Sequence, residues 1–256
     1  MAKIKTAEEI ALLRESGKRL ASVLQELKKA IKPGVTTKDL DILAEKLIRA
    51  GGDIPPFLNY TPHGARRAFP ASLCVSVNEE IVHGIPREDR VLEEGDIVSI
   101  DLGVSHKGMI TDSALTVAVG EIPDEVKKLL EHTERSLFEG IKAARVGGRI
   151  GDIGAAVEAV AKKHGYGIVR ELGGHGVGHE VHEEPYVPNY GNKGTGPIIK
   201  SGMVLAIEPM FMLGSEDILA MPDGYTVITK DGSLSAHFEH TIAITDDGVE
   251  IVTLPS

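Results

Sequence analysis

The feature that most constrains this 256-residue chain is internal: its second half repeats the pattern of its first. "KPGVTTKDLDILAEKLIRAGG" at 32–52 lines up with "RVGGRIGDIGAAVEAVAKKHG" at 145–165. The constant offset of 113 places Gly34 on Gly147, Asp39 on Asp152 and Glu45 on Glu158. "LEEGDIVSID" at 92–101 then matches "IKSGMVLAIE" at 199–208, setting Gly95 on Gly202 and Asp101 on Glu208. "TDSALTVAV" at 111–119 matches "FEHTIAITD" at 238–246, setting Asp112 on Glu239. Two long copies are not the many short periods of a solenoid. The expectation is a single domain of two related halves, about 1–122 and 123–256, packed around a pseudo-twofold axis.

Local patterns give each half helices followed by strands. Thr6 and Glu9 form a capping box, after which Ile10, Leu13, Leu20, Leu24, Leu27 and Ile31 recur at helical spacing until Pro33-Gly34. A second helix runs from about Thr37 to Gly51-Gly52, and others from about Pro123 to Ala144 and Ile150 to His164. Segment 54–72 is irregular and proline-containing, followed by strand-like "LCVSV", "DIVSIDLGV" and "ALTVAV"; "MVLAIEPMF", "YTVIT", "HTIAIT" and "VEIVTL" close the chain. The class is α+β.

The repeat puts an acid at the end of an apolar strand four times, at Asp101, Asp112, Glu208 and Glu239. Taken singly, such an acid is most simply an exposed charge. Four at matched positions argue otherwise. A hairpin turning at His106-Lys107 would pair residue 101 with 112, bringing two carboxylates to about 5 Å. In an apolar setting they repel strongly. Lysine and arginine are scarce beside them, so a metal is the better counter-charge. An oxygen-rich site with little imidazole suits Mn, Fe, Co or Zn in a catalytic role. Two such ions, about 3.5–4 Å apart, would activate water and polarise a carbonyl.

"GGHGVGHEVHEEP" at 173–185 holds three histidines and three glutamates. His175 and His179 have helical spacing, but the surrounding glycines would each cost a helix about 1 kcal/mol. The stretch is therefore loop or extended strand, and it lacks HExxH. In an extended segment residues 175 and 182 fall on opposite faces and need not share a role.

Bulk numbers exclude other classes. A net charge of -10 argues against a nucleic-acid binder. The single cysteine, Cys74, cannot form a disulfide within the chain, which points to a reducing, cytoplasmic compartment. The charged start is not a signal peptide, and no apolar run reaches the roughly 18 residues of a membrane span.

The ordered set "VHGIP", "DIVSIDLGV", "TDSALT", "GHGVG", "HEEP", "AIEPM" and "SLSAHFEHTIAIT" resembles the type I methionine aminopeptidases over nearly the whole chain. These share their fold with aminopeptidase P and prolidase. The resemblance implies the pseudo-twofold "pita-bread" fold, a central antiparallel-rich sheet with helices packed on its outer face. It implies two divalent ions (Mn, Fe, Co or Zn) held by Asp101, Asp112, His175, Glu208 and Glu239, with Asp112 and Glu239 bridging. A hydroxide between the ions would attack the carbonyl of the first residue. His83 and His182 would contact substrate, and Glu208 would also pass a proton to the leaving amine. The implied substrates are peptides and nascent chains beginning with methionine, with a small second residue, and the ribosome is an implied partner of a monomeric, cytoplasmic enzyme that engages neither membrane nor specific nucleic acid. Asn78 and Ser235, with the carbonyl of Glu80, resemble a monovalent-cation site.

The chain departs from this pattern in the methionine pocket. Val181 stands where the bacterial enzymes usually have an aromatic residue, and Tyr225 stands for tryptophan in a "DGWT" turn. Phe69 and Cys74 match pocket positions; the stretch from Tyr60 to Arg67 has no clear counterpart. Cys74 is expected to be pocket wall, not nucleophile. His179 is expected to be a loop residue with no role, Glu183 and Glu184 to lie beside the site or in solvent, and His106, His132 and His164 to be at the surface. Two competing readings are an Xaa-Pro-cleaving relative, which usually carries an extra amino-terminal domain, and a non-catalytic binding protein on the same fold.

Overall fold

In the computed structural model, which describes residues 2–62 and 64–255, helices form where the caps and periodicity place them. They are α1 (Ala7–Ala30), α2 (Thr37–Ala50), α3 (Asp124–Ala143) and α4 (Ile150–His164). The strands are β1 (Cys74–Val77), β2 (Glu80–Val82), β3 (Ile97–His106), β4 (Met109–Ala118), β5 (Gly167–Ile168), β6 (Gly173–Gly176) and β7 (Glu183–Pro188). They continue with β8 (Val204–Ile207), β9 (Met210–Met212), β10 (Ile218–Ala220), β11 (Val227–Thr229), β12 (Ser235–His237), β13 (His240–Thr245) and β14 (Gly248–Ile251). All strand pairings among the described residues are antiparallel.

Matched residues of the two halves do matched local work. The Asp39 carboxylate accepts the Thr36 amide at 2.9 Å and starts α2; Asp152 accepts the Arg149 amide at 2.8 Å and starts α4. Thr36 bridges to Val91, and Arg149 to Ile198. α1 and α2 cover β1 and β3 around Leu20, Leu27, Leu40, Ile100 and Leu102. α3 and α4 cover β8 and β9 around Leu129, Ile153, Leu205, Ile207 and Phe211. Removing each such side chain from water contributes about 1.5–3 kcal/mol.

The seam between these two layers builds the site. The order β1-β3-β4 forms one sheet and β14-β13-β8-β6-β7 another. They join where Glu239 N–H donates to the Ala114 carbonyl at 2.8 Å. The Thr241 hydroxyl donates to the Asp112 carbonyl at 2.7 Å and accepts the Asp112 amide at 2.9 Å. These bonds set β4 beside the start of β13.

The β3–β4 hairpin differs from the expected register. His106 pairs with Met109, so the turn is centred on Lys107-Gly108, with φ of 50° and 84°. Two successive residues at positive φ suit the tight hairpin turn, and glycine takes one of them without steric cost. Asp101 therefore faces Ala114, and Asp112 faces Gly103. Because the shift is two residues, both aspartates remain on one face, now as diagonal neighbours.

Candidate metal centre

Five side chains converge at this seam from four places in the chain. Asp101 and Asp112 come from β3 and β4. His175 comes from β6, paired with Ala206 of β8. Glu208 follows β8 and Glu239 precedes β13; the pairing of His240 with Ile207 brings those two strand ends together. Asp112, His175 and Glu239 each offer a ligand atom within 4.8 Å of the others.

Asp101, Asp112, His175 and Glu239 are buried. Oδ1 of Asp101, Oδ1 of Asp112 and Oε1 of Glu239 are buried with no hydrogen-bond partner. Among the described residues, no lysine or arginine pairs with these carboxylates; Glu208 meets only His175 and His237, each at 3.5 Å. Burial, then repulsion from neighbouring acids, raises Asp101 and Glu239 well above the ordinary carboxylate range. Burial pushes Asp112 up to about 6. Buried carboxylates left with free lone pairs are costly unless a cation joins them. The donor set fits divalent metal ions.

The imidazole of His175 is set for the same task. Its Nδ1 lies 2.9 Å from the Gly176 carbonyl, which can only accept. Nδ1 is therefore a donor, and Nε2, 3.5 Å from Glu208, is the nitrogen that faces the cage, the arrangement of a metal-ligating histidine. Glu208 itself would be raised by burial, but close contact with His237, and the nearby His175 and His182, hold it below its ordinary value.

A cavity of about 140 Å³ is lined on one side by all five of these residues. It is below the usual size of a site for a larger ligand. Of the expected pocket residues, Phe69, Cys74, Val181 and Tyr225 all line it, as do His83 and His182. Burial pushes the Cys74 thiol well up, as befits an inert wall. Tyr225 packs edge-on against Phe69 with ring centroids 5.1 Å apart. Phe57, Tyr60 and Pro62, from the 57–72 segment that the resemblance implies supplies pocket residues, complete the lining. The aromatic bulk missing at Val181 thus comes from the irregular 57–69 segment. Tyr60 also reaches His182, its hydroxyl 2.8 Å from Nδ1.

Several expectations about histidines and acids need correcting. His175 and His182 are not separated by an extended backbone. Gly176 pairs with Glu183, so the segment folds back as a hairpin and the two rings meet edge-on at 4.4 Å. His182 is exposed along one edge, yet crowding around the ring, and then His175, lower its pKa. His83 is partly exposed, and burial of its ring lowers it likewise. Of the two glutamates expected beside the site or in solvent, Glu183 is buried beside it and Glu184 is exposed, as expected. His106 is buried too, its Nδ1 2.7 Å from Asp53. His132 and His164 stack at 3.6 Å and are only partly exposed. His179 is exposed, as expected of a loop residue, and touches Glu9 at 2.6 Å. His237, buried beside Glu208, joins the site without being among the expected residues; its place two residues before Glu239, on the same face of an extended chain, is the signal the sequence holds for it.

The expected monovalent-cation group is also brought together. The Ser235 hydroxyl lies 3.2 Å from the carbonyl oxygens of both Asn78 and Glu80. The Asn78 side chain points elsewhere, bonded to Asp96 and the Ile97 amide.

Residues 11–246 match the model of metallopeptidase family M24. The chain belongs to that family. It is 48% identical to methionine aminopeptidase of Clostridium acetobutylicum, with 98% of both chains aligned. It is 49% identical to methionine aminopeptidase 1 of Bacillus subtilis, over 97% of this chain and 98% of that one. The solved methionine aminopeptidase of Rickettsia prowazekii superposes with a TM-score of 0.95 at 41% identity, covering 99% of this chain and 100% of the other. The Xaa-Pro dipeptidase of Bacillus anthracis matches with a TM-score of 0.74 at 25% identity, covering 98% of this chain but 61% of its own. Within family M24 the chain groups with the methionine aminopeptidases, and it is a metallopeptidase that uses divalent metal. No helix among the described residues is long and apolar enough to cross a membrane.

Proposed function

We propose that the chain removes the amino-terminal methionine from peptides and nascent proteins, favouring a small second residue. The observation that carries this is the acidic cage with unpartnered buried oxygens, opening directly onto an aromatic-walled cavity of about 140 Å³. Asp101, Asp112, His175, Glu208 and Glu239 would hold two divalent ions, with Asp112 and Glu239 between them. When bound, such ions activate water and polarise the scissile carbonyl.

The chain's own residues do the rest. The cavity receives the first side chain, and the acidic cage beside it receives the free α-amine, which confines cleavage to the amino terminus. His182 would donate Nε2–H to the carbonyl oxygen. The Tyr60 hydroxyl, a better donor than acceptor toward imidazole, leaves the His182 proton on Nε2. Preorganised donors aimed at developing negative charge are among the largest catalytic effects. His83 sits across the same cavity to contact substrate. Glu208, kept ionised by its histidine neighbours, would collect a proton and pass it to the leaving amine.

Ser235 Oγ and the carbonyls of Asn78 and Glu80 would hold a monovalent cation near the seam. The matched caps and bridges support one catalytic domain of two related halves, about 1–122 and 123–256. A monomer in the cytoplasm, meeting its substrates at the ribosome, is the setting in keeping with these substrates and with one buried cysteine.

The test supplies Mn(II), Fe(II) or Co(II) to purified protein and offers Met-Ala-Ser and Ala-Pro peptides. Methionine release with no cleavage of Ala-Pro is expected. No methionine release with any of these metals would refute the proposal.

A further inference from the structure

Chain segment 3–9 lies against the loop that joins β6 to β7 and the start of β7, and three side-chain contacts bind them. Lys5 Nζ donates to Glu183 Oε2 at 2.6 Å, with both side chains only 1% exposed. Glu183 Oε1 accepts the amides of His179 at 2.7 Å and Glu180 at 3.1 Å. His179 Nε2 lies 2.6 Å from Glu9, and Lys3 meets Glu180 at 2.6 Å. The backbone is cut to admit this segment. A Cβ on Gly178 would come within 2.5 Å of Lys5 Cε, and one on Gly202 within 2.5 Å of Ile4 Cγ2.

The loop so held carries Val181, a cavity wall, and His182, one turn of hairpin beyond the metal-facing His175. With Gly178 in it, the loop has little conformational preference of its own. Charge-assisted hydrogen bonds to two successive amides fix it. Glu183 can make them as an anion in a buried place only because Lys5 neutralises it there.

We infer that Lys5 is a positioning residue of the active site: acting through Glu183, it fixes the loop that presents Val181 and His182 to the substrate. This rests on the reading of those two residues as substrate-facing. The segment is thus a working part of the site as well as a cover for the core.

The test uses the full chain with saturating Mn(II). Lys5→Met fits the same channel without the charge. The measurements are kcat and KM on Met-Ala-Ser, metal stoichiometry, Tm, and hydrogen exchange at the His179 and Glu180 amides. Expected are a 10- to 100-fold loss in kcat/KM, faster exchange at those two amides by 10-fold or more, and unchanged metal content. Lys5→Met/Glu183→Gln, which leaves no unpaired buried charge and keeps an acceptor, should fall between Lys5→Met and wild type on both readouts. It replaces Lys5→Met if that variant does not fold. A folded variant with wild-type kcat, KM and amide protection overturns the inference. Should the wild type itself release no methionine, the proposed function fails, while amide exchange still judges the clasp.

Discussion

The acidic cage should make the metal-free protein unstable at neutral pH in a way that one substitution removes. Asp112 is 3% exposed, and burial raises its pKa from the ordinary 3.8 to about 6. The folded state therefore binds this proton more tightly than the unfolded chain does. The resulting penalty is fully present above pH 6, shrinks as pH falls through about 6, and is gone below about 4. A shift of this size corresponds to about 3 kcal/mol at 1.36 kcal/mol per unit. Asp112→Asn has no such proton to bind. The stability of metal-free Asp112→Asn relative to metal-free wild type should therefore improve by about 3 kcal/mol between pH 4 and pH 7.5. Any pH-independent cost of the new amide, such as a missing hydrogen-bond partner, cancels in that comparison. For a chain of this size it amounts to a change of about 6–12 °C in the difference between the two Tm values. Saturating Mn(II) should shift the difference back toward the wild type at pH 7.5. Ligands at 100 times Kd stabilise the wild type by about 2.7 kcal/mol, and the variant lacks one carboxylate of the cage. Circular dichroism melts in chelator and in Mn(II), from pH 4 to 8, make the measurement. A Tm difference in chelator that stays constant across this range would show that Asp112 is not held in a repulsive buried cluster.

Other consequences are simpler to check. Tyr60→Phe frees the His182 tautomer while leaving the cage alone, so kcat/KM should fall about 10-fold, about 1.4 kcal/mol, with metal content unchanged; wild-type kinetics would remove Tyr60 from the mechanism. Val181→Ala enlarges the cavity and weakens ground and transition states alike, so KM for Met-Ala-Ser should rise about 5-fold with kcat nearly constant. An unaltered KM would place the methionine side chain elsewhere. His179→Ala loses only an exposed contact with Glu9, worth no more than about 1 kcal/mol, and should leave kcat/KM within 3-fold. A 100-fold loss there would assign His179 a role the geometry does not give it.

How far the sequence reached can be judged residue by residue. Period-two alternation put Asp101 and Asp112 on one sheet face even though the register was two residues off, because parity decides the face and the turn decides the partner. The Lys107-Gly108 turn moved the partner. The four acids stood out because they occupy matched positions in apolar stretches, where a lone charge needs a cation; the structure sets Asp101 and Asp112 inside β3 and β4, Glu208 just after β8 and Glu239 just before β13, not all at strand ends. The pocket was less legible: Phe57 and Tyr60 lie in an irregular stretch with no periodicity to place them.

The sequence by itself determined the helices, the strand faces and the acidic character of the cage, since all of these follow from residue type and local spacing. Only the tertiary structure decided which side chains meet. His182 reaches His175 because a hairpin folds back between them, His237 reaches Glu208 across strands, and Lys5 reaches Glu183 from 178 residues away. The physical reason is range: backbone periodicity fixes where a side chain points within its own element. Its partner is set by how elements far apart in the chain pack, and that packing leaves no repeating mark along the sequence.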